Sequence, residues 1–440
     1  MLMKTRIASL IDEREGRFRV DRAVYSDPDI FEAEMAEFFE GGWVFLAHES
    51  QLKNAGDYFA TRIGRQPVFL IRKKDGSLGG YINACAHRGA TLVPYEHGRA
   101  NALTCRFHGW VFNLDGRCIK IKNEELGEYD TADTKSRFGL TPVAKLESYR
   151  GFVFGSLRAE VPPLTDWLVG TLPWIDLMVD QSPQGLEVVR GSSTYMVRGN
   201  WKLQAENGVD GYHVSTVHRV FAATVANREA KTAVDGIRKT EAGRMLGNVN
   251  SGAYDFGNGH MAIWAQRTEP STHPLWPQKA RLEREFPAER LEWMLNRGRN
   301  LYLFPNVFLM DNPSSQIRTL HAISPDLCEV TVRAIAPVGE APEARAARLR
   351  KFEDFYLTTG MATSDDLAAL EATHAGAHGS AARWNEFARG ANSVRRGAED
   401  TDGGKIGSVP QAMTPSWDHE ALYHGFYRFW KDRLLQGGAG

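Results

Sequence analysis

Four side chains of metal-binding types fall on two short stretches: Cys85-Ala86-His87 and, after seventeen intervening residues, Cys105-Arg106-Phe107-His108. A chain that uses them together must fold what lies between so that two loops meet. That requirement constrains residues 41–157 more tightly than any local propensity. Four zinc ligands could be drawn from the set. Zinc sites, however, usually space paired ligands by two to four residues, and Cys-x-His is tight for them. Two Cys and two His on matched loops suit instead a [2Fe–2S] centre in which both thiolates hold one iron and both imidazoles the other. Neutral imidazoles in place of two thiolates lower the negative charge and raise the reduction potential above that of an all-cysteine ferredoxin. The flanks CAHRGA and CRFHGW supply glycines for close backbone approach. Only four cysteines occur in 440 residues, which is no disulfide framework and fits a reducing compartment. Cys118 and Cys328 have no neighbouring ligands and read as buried small apolar residues.

The rest of the chain builds around this pair of loops. Residues 26–40 read as a helix, with Asp27 as cap, Pro28 at its first position and Phe31, Met35, Phe38 and Phe39 on one face. From Gly41 the period changes to short strands, WVFLAH, DYFATRI, PVFLIRK and GGYINA. Asp75-Gly76 and Asp115-Gly116 mark tight turns. After the connection PPLTDW, the stretch EVVRGSSTYMVRGNW alternates as a strand. Residues 247–260 are rich in Gly and Asn and read as a mobile loop. RLEREFPAERLEWML reads as helical. LYLFPNVFLMD, QIRTLHAIS and CEVTVRAIAP read as three successive antiparallel strands. Helices are expected from Pro342 to Tyr356 and from Thr363 onward, a loop over 388–412, and a packed helical stripe of Leu422, Tyr423, Phe426, Phe429 and Trp430 at the C-terminus.

A second cluster lies in Trp201–His218, WKLQAENGVDGYHVSTVH. Asp210 and His213 are spaced i,i+3 and would share a helical face. His218 is five residues further on, about 140° round an ideal helix, so the helix must end or widen between the histidines if both are to meet one ion. Either histidine could otherwise be an ordinary polar residue of a half-buried helix. Two His and one carboxylate with open positions form the facial triad of non-haem Fe(II) enzymes that activate dioxygen.

Taken together, CAHRG, CRFHGW and NWKLQAENGVDGYHVSTVH resemble the large (α) subunit of Rieske non-haem iron aromatic-ring-hydroxylating dioxygenases, most closely the benzoate, toluate and anthranilate 1,2-dioxygenase group. The resemblance continues through FEGGWVFLAHESQ, TRIGRQPVFLI, ESYRGFVFGSL, DQSPQGLEVVRG, PVGEAPEARAARLRKFEDFY and GMATSDDL. Asn207 stands three residues before Asp210, as in the benzoate group. After His218 the chain departs from that group's usual Trp-Asn-Tyr with Arg219-Val220-Phe221, so the motif leaves the acid open.

The resemblance implies an α+β chain with an all-β Rieske [2Fe–2S] domain over 41–157. Residues 1–40 would be the N-terminal helical part of a catalytic domain that resumes over 158–440, an antiparallel sheet surrounded by helices. It implies that Cys85 and Cys105 hold one cluster iron and His87 and His108 the other. His213 and His218 would bind a mononuclear Fe(II), with Asp366 as third ligand and Asp365 as the fallback. Asp366 is also placed to complete a capping box with Thr363. Asp210, with Asn207 beside it, is assigned to catalysis: it would link His108 of a neighbouring subunit to His213. The implied partners are a small β subunit in an α₃β₃ hexamer, a separate NADH-dependent flavin and iron–sulfur reductase, and a ferredoxin where electrons do not pass directly. The implied substrates are an aromatic carboxylate and O₂. Arg198 and Arg219 are the candidates for meeting that carboxylate, unless they are simply solvated.

The alternatives are a Rieske monooxygenase or demethylase, and a Rieske electron carrier. A carrier needs only about the first 160 residues and no second cluster. A net charge of −1 gives no reason to expect nucleic acid or an anionic membrane as partner. No stretch approaches a signal peptide or a membrane span, so a cytoplasmic protein is expected.

Overall fold

Asp27 caps a helix as its sequence requires. Its carboxylate accepts from the amides of Asp29 and Ile30, and Pro28 takes the first helical position of Pro28–Glu34. This is seen in a computed structural model that describes residues 2–127, 137–224, 250–397 and 401–437. The chain divides into two units, Phe38–Leu164 and Met1–Glu37 with Thr165–Gly440. Among the described residues no helix is long and apolar enough to cross a membrane.

The first unit is built from short antiparallel strands. A four-stranded sheet runs in the order Leu78–Ile82, Gln66–Arg72, Asp57–Ile63, His97–Arg99. Two three-stranded sheets complete it: Lys145–Tyr149, Phe152–Ser156 and Val44–His48 in one, and Cys118–Lys120, Val111–Phe112 and Leu103–Thr104 in the other. Both Asp-Gly pairs form the turns expected of them, with Gly76 and Gly116 at positive φ. A Cβ on Gly116 would lie 2.5 Å from the Tyr81 ring, so this turn requires glycine for space as well as for conformation.

The second unit is organised on a ten-stranded antiparallel sheet. Strands His260–Gln266, Arg297–Leu303, Val307–Asp311, Ser315–Ser324 and Leu327–Pro337 follow one another across it. The stretch LYLFPNVFLMD supplies two of these strands rather than one. The chain reverses at Phe304–Asn306, where Pro305 has no N–H to give a ladder. RLEREFPAERLEWML is likewise interrupted at Phe286-Pro287, between helices Lys279–Glu285 and Ala288–Leu291.

One expectation fails outright. Residues 247–249 lie outside the described residues, but Ser251–Gly257 is a strand with every residue buried, not a mobile loop. Its glycines serve close packing: a Cβ on Gly252 would sit 2.7 Å from Nε1 of Trp264 on the neighbouring strand. Part of the 388–412 loop also joins this sheet, since Ala412–Thr414 pairs with Ser251–Gly257. Helices Pro342–Tyr356, Thr363–Ala377 and Tyr423–Gln436 stand where the sequence places them. Along the last, Tyr423, Phe426 and Trp430 are buried, while Phe429 packs against Phe304 and Trp167.

Candidate functional site

The two Cys/His loops are copies of one local structure. The Cys85 amide donates to the Ala90 carbonyl at 2.8 Å and the Gly89 amide to the Cys85 carbonyl at 2.8 Å. In the second loop, Cys105 donates to Trp110 at 2.8 Å and Gly109 to Cys105 at 3.0 Å. Gly89 and Gly109 close the loops at positive φ. Both cysteines are buried, whereas His87 is exposed and His108 half-buried. The two imidazoles meet edge to face with centroids 4.6 Å apart, and His87 stacks on Trp110. Burial pushes the Cys85 thiol above its usual pKa, and the neighbouring Cys105 adds to the push. Such a thiol pair becomes a thiolate pair when a metal displaces the protons. The donor set therefore fits a two-iron cluster with thiolates inside and imidazoles outward. Cys118 and Cys328 are buried, as expected.

In the second unit, helix Trp201–Asn207 leads into the second cluster, and buried polar contacts fix it. Glu34 accepts from Trp201 Nε1 at 2.8 Å, Trp430 Nε1 at 2.6 Å and Lys202 Nζ at 2.5 Å. At the helix's far end Glu206 accepts from the hydroxyls of Tyr25 and Tyr427. The helix stops at Asn207, and a single helical turn, Val214–Val217, separates His213 from His218. His218 leaves helical geometry with ψ of 17°. This interruption lets two histidines five residues apart face one point. Gly208 and Gly211 make the bend possible, since a Cβ would lie 2.4 Å from Phe308 or 2.5 Å from Trp417 respectively.

His213 Nε2 and His218 Nε2 lie 3.3 Å apart. Asp366 Oδ1 is 3.4 Å from the first and 3.3 Å from the second. Bonds of about 2.1 Å to one ion separate ligand atoms by roughly 3.0 Å at right angles and about 3.4 Å in a tetrahedron. The three atoms therefore fit a single ion bound on one face. Asp366 makes no capping box: the helix begins without a side-chain cap, and Thr363 donates instead to the Phe355 and Tyr356 carbonyls. Asp365 does not belong to the group.

Asn207 Nδ2 donates to Asp366 Oδ1 at 3.3 Å. Asp210 stays out of the triad. Its Oδ1 accepts from the Tyr212 amide at 2.7 Å. Its Oδ2 lies 3.0 Å from His213 Nδ1, at an angle short of a hydrogen bond. Burial alone would lower the pKa of His213, but Asp210 and Asp366 outweigh it and the value lies above the ordinary one. For His218 burial prevails over Asp366 and the value lies below. Among the described residues the other His/carboxylate group is Asp326, His374 and His378, two of which are exposed.

The triad opens on a pocket of about 750 Å³, mouth included. One wall comes from the sheet. Ile263, Asn300, Met310 and Gln316 are consecutive cross-strand partners, and Arg318 stands two residues beyond Gln316 on the same face. Asn300 Nδ2 donates to the Gly208 carbonyl at 2.9 Å, while its buried Oδ1 has no partner. Val214, Phe221 and Phe355 add apolar surface. Arg198 and Arg219 are exposed and do not line it. The sequence gives no sign of Arg318, because both faces of its strand are buried and alternation picks out neither.

Comparison with known proteins agrees with this geometry. Residues 186–436 match the family described as ring hydroxylating alpha subunit (catalytic domain), and residues 42–130 match the Rieske [2Fe-2S] domain. The chain is 44% identical over 426 residues to the toluate 1,2-dioxygenase subunit alpha of Pseudomonas putida, covering 97% of this chain and 93% of that one. It is 38% identical over 431 residues to the anthranilate 1,2-dioxygenase large subunit of Acinetobacter baylyi, covering 96% and 91%. Among solved structures it is similar to naphthalene 1,2-dioxygenase with indole bound in the active site, with TM-score 0.82, 26% identity and 97% and 94% coverage. The chain belongs to the family of ring-hydroxylating dioxygenase α subunits, enzymes with a Rieske [2Fe–2S] domain and a mononuclear non-haem iron catalytic domain.

Proposed function

We propose that this chain is the catalytic subunit of a 1,2-dioxygenase acting on an aromatic carboxylate, benzoate or a 2-substituted benzoate such as anthranilate. The observation that carries the reading is the full-length similarity to toluate and anthranilate 1,2-dioxygenases, at 44% and 38% identity. One ring acid, one O₂, two electrons and two protons give the cis-diol acid from benzoate. Anthranilate gives catechol after loss of ammonia and carbon dioxide.

Cys85 and Cys105 would hold the inner cluster iron, and His87 and His108 the outer. His213, His218 and Asp366 would hold the mononuclear iron. When bound, the cluster supplies single electrons and the mononuclear iron supplies open positions at which O₂ is activated. The chain's own residues do the positioning. Asn207 holds the Asp366 carboxylate toward the histidines. Asp210 faces Nδ1 of His213, which keeps the proton there and leaves Nε2 for the metal. In a ring of subunits the same aspartate would reach His108 of the partner subunit and give a short hydrogen-bonded route between the metals. The apolar pocket walls keep water from the reacting ring.

The partners proposed are a small β subunit in an α₃β₃ hexamer and an NADH-dependent flavin and iron–sulfur reductase, acting directly or through a ferredoxin. The cytoplasm, where NADH is available, is the proposed location. The test is turnover of a panel of substituted benzoates with identification of products. A 1,2-dihydroxylated acid or its catechol is expected. Faster oxidation of naphthalene or biphenyl than of any aromatic acid refutes the reading.

A further inference from the structure

Five arginines are buried among the described residues: Arg267, Arg297, Arg299, Arg318 and Arg348. A buried guanidinium is costly unless it is paired or hydrogen-bonded. Four meet that condition. Arg299 pairs with Asp311 at 2.7 Å, Arg348 with Glu340 at 2.7 Å and Arg297 with Asp402 at 2.8 Å. Arg267 donates to the Asp311 carbonyl at 2.6 Å. Arg318 has no hydrogen-bond acceptor among the described residues, and its Nε is buried without a partner. Its nearest ring contacts are Phe308 and Tyr356, 6.0 and 5.9 Å from the guanidinium carbon. Those distances lie at the outer limit of a cation–π interaction and do not replace a counter-ion.

This unpaired charge faces the pocket that also receives His213, His218 and Asp366. The surrounding Val214, Ile263, Met310 and Phe355 suit an aromatic ring rather than a second charge. We infer that Arg318 is the group that receives the substrate's carboxylate, a role that rests on the reading of the substrate as an aromatic acid. The planar guanidinium can give two parallel N–H donors to one carboxylate, which fixes the ring's orientation as well as its charge. A neutral arene entering the same pocket would leave the arginine unpaired, so the residue selects acids over hydrocarbons.

The test is anaerobic titration of the iron-loaded holoenzyme with benzoate and with benzamide, its neutral isostere. Wild type is expected to bind benzoate more tightly. In Arg318→Met that preference should fall about a hundredfold, the scale set by loss of a charge-assisted bidentate contact. Arg318→Lys should recover part of it. If Arg318→Met does not fold with iron and cluster in place, Arg318→Gln carries the same comparison. A preference unchanged in the variant, or affinities for acid and amide falling together, overturns the assignment. So does a wild type that binds both equally. Wild type that oxidises naphthalene faster than any benzoate fails differently: it removes the aromatic-acid reading, and the role of Arg318 with it.

Discussion

An imidazole offers Nε2 to a metal only while Nδ1 keeps its proton, and in His213 that nitrogen lies 3.0 Å from Asp210. The proposed reading gives separate tasks to four neighbouring side chains: two histidines and Asp366 would bind the metal, while Asn207 donates to the carboxylate and would steady it. His213→Ala, His218→Ala and Asp366→Ala should each reduce iron from three to two per chain and leave the visible cluster spectrum intact. Iron analysis beside absorbance checks this, and loss of cluster colour from any of the three would contradict it. How far these residues show in the sequence depends on spacing. Cys85, His87, Cys105 and His108 declare themselves because their ligands sit within single loops. His213 and His218 are suggested by proximity. Asp366 lies far along the chain, where an acidic pair at a helix start has a local explanation as a cap, so only the family resemblance singled it out. Arg318 is invisible, because it depends on what lies across the sheet.

At the scale of elements, helix Trp201–Asn207 gives the site its rigidity, and unusual polar burial holds it. Lys202 and Glu34 are fully buried together. Burial prevails at Lys202 and lowers its pKa despite Glu34 beside it. Glu206 is partly covered as a residue, but its carboxylate is enclosed by Tyr25 and Tyr427, and burial raises its pKa to about 7. The folded state therefore holds a proton there that the unfolded chain releases near the ordinary value of 4.5. Stability from this group is complete below about pH 4.5 and is lost as pH rises through about 7. The loss is on the order of 1–3 kcal/mol, allowing for solvent near the residue. Glu206→Gln should therefore gain in thermal midpoint relative to wild type between pH 5 and pH 8. A difference that stays constant over that range would refute the shift. None of this could be read from WKLQAEN, which looks like an ordinary amphipathic helix. The buried strand Ser251–Gly257 misleads for a related reason. Its glycines and asparagine-rich flank read as a loop in the sequence, yet Gly252 is what permits Trp264 to lie against the backbone.

For the whole molecule, the outline was legible: short β runs come first, then helices and long strands, and the family resemblance made of them an α+β chain. What composition and period could not supply is how an electron leaves one ligand set and reaches the other. The proposed answer is Asp210, acting on orientation and transfer but not on metal retention. The direct measurement is a single turnover. Protein is reduced, excess reductant is removed, a benzoate and O₂ are added, and the return of the oxidised-cluster absorption is timed while product is collected. Asp210→Ala should retain its cluster spectrum and most of its mononuclear iron, yet reoxidise slowly and form almost no product. Reoxidation at the wild-type rate with normal product would contradict the bridging role. Loss of iron as complete as in His213→Ala would instead make Asp210 a ligand and reopen the place given to Asp366.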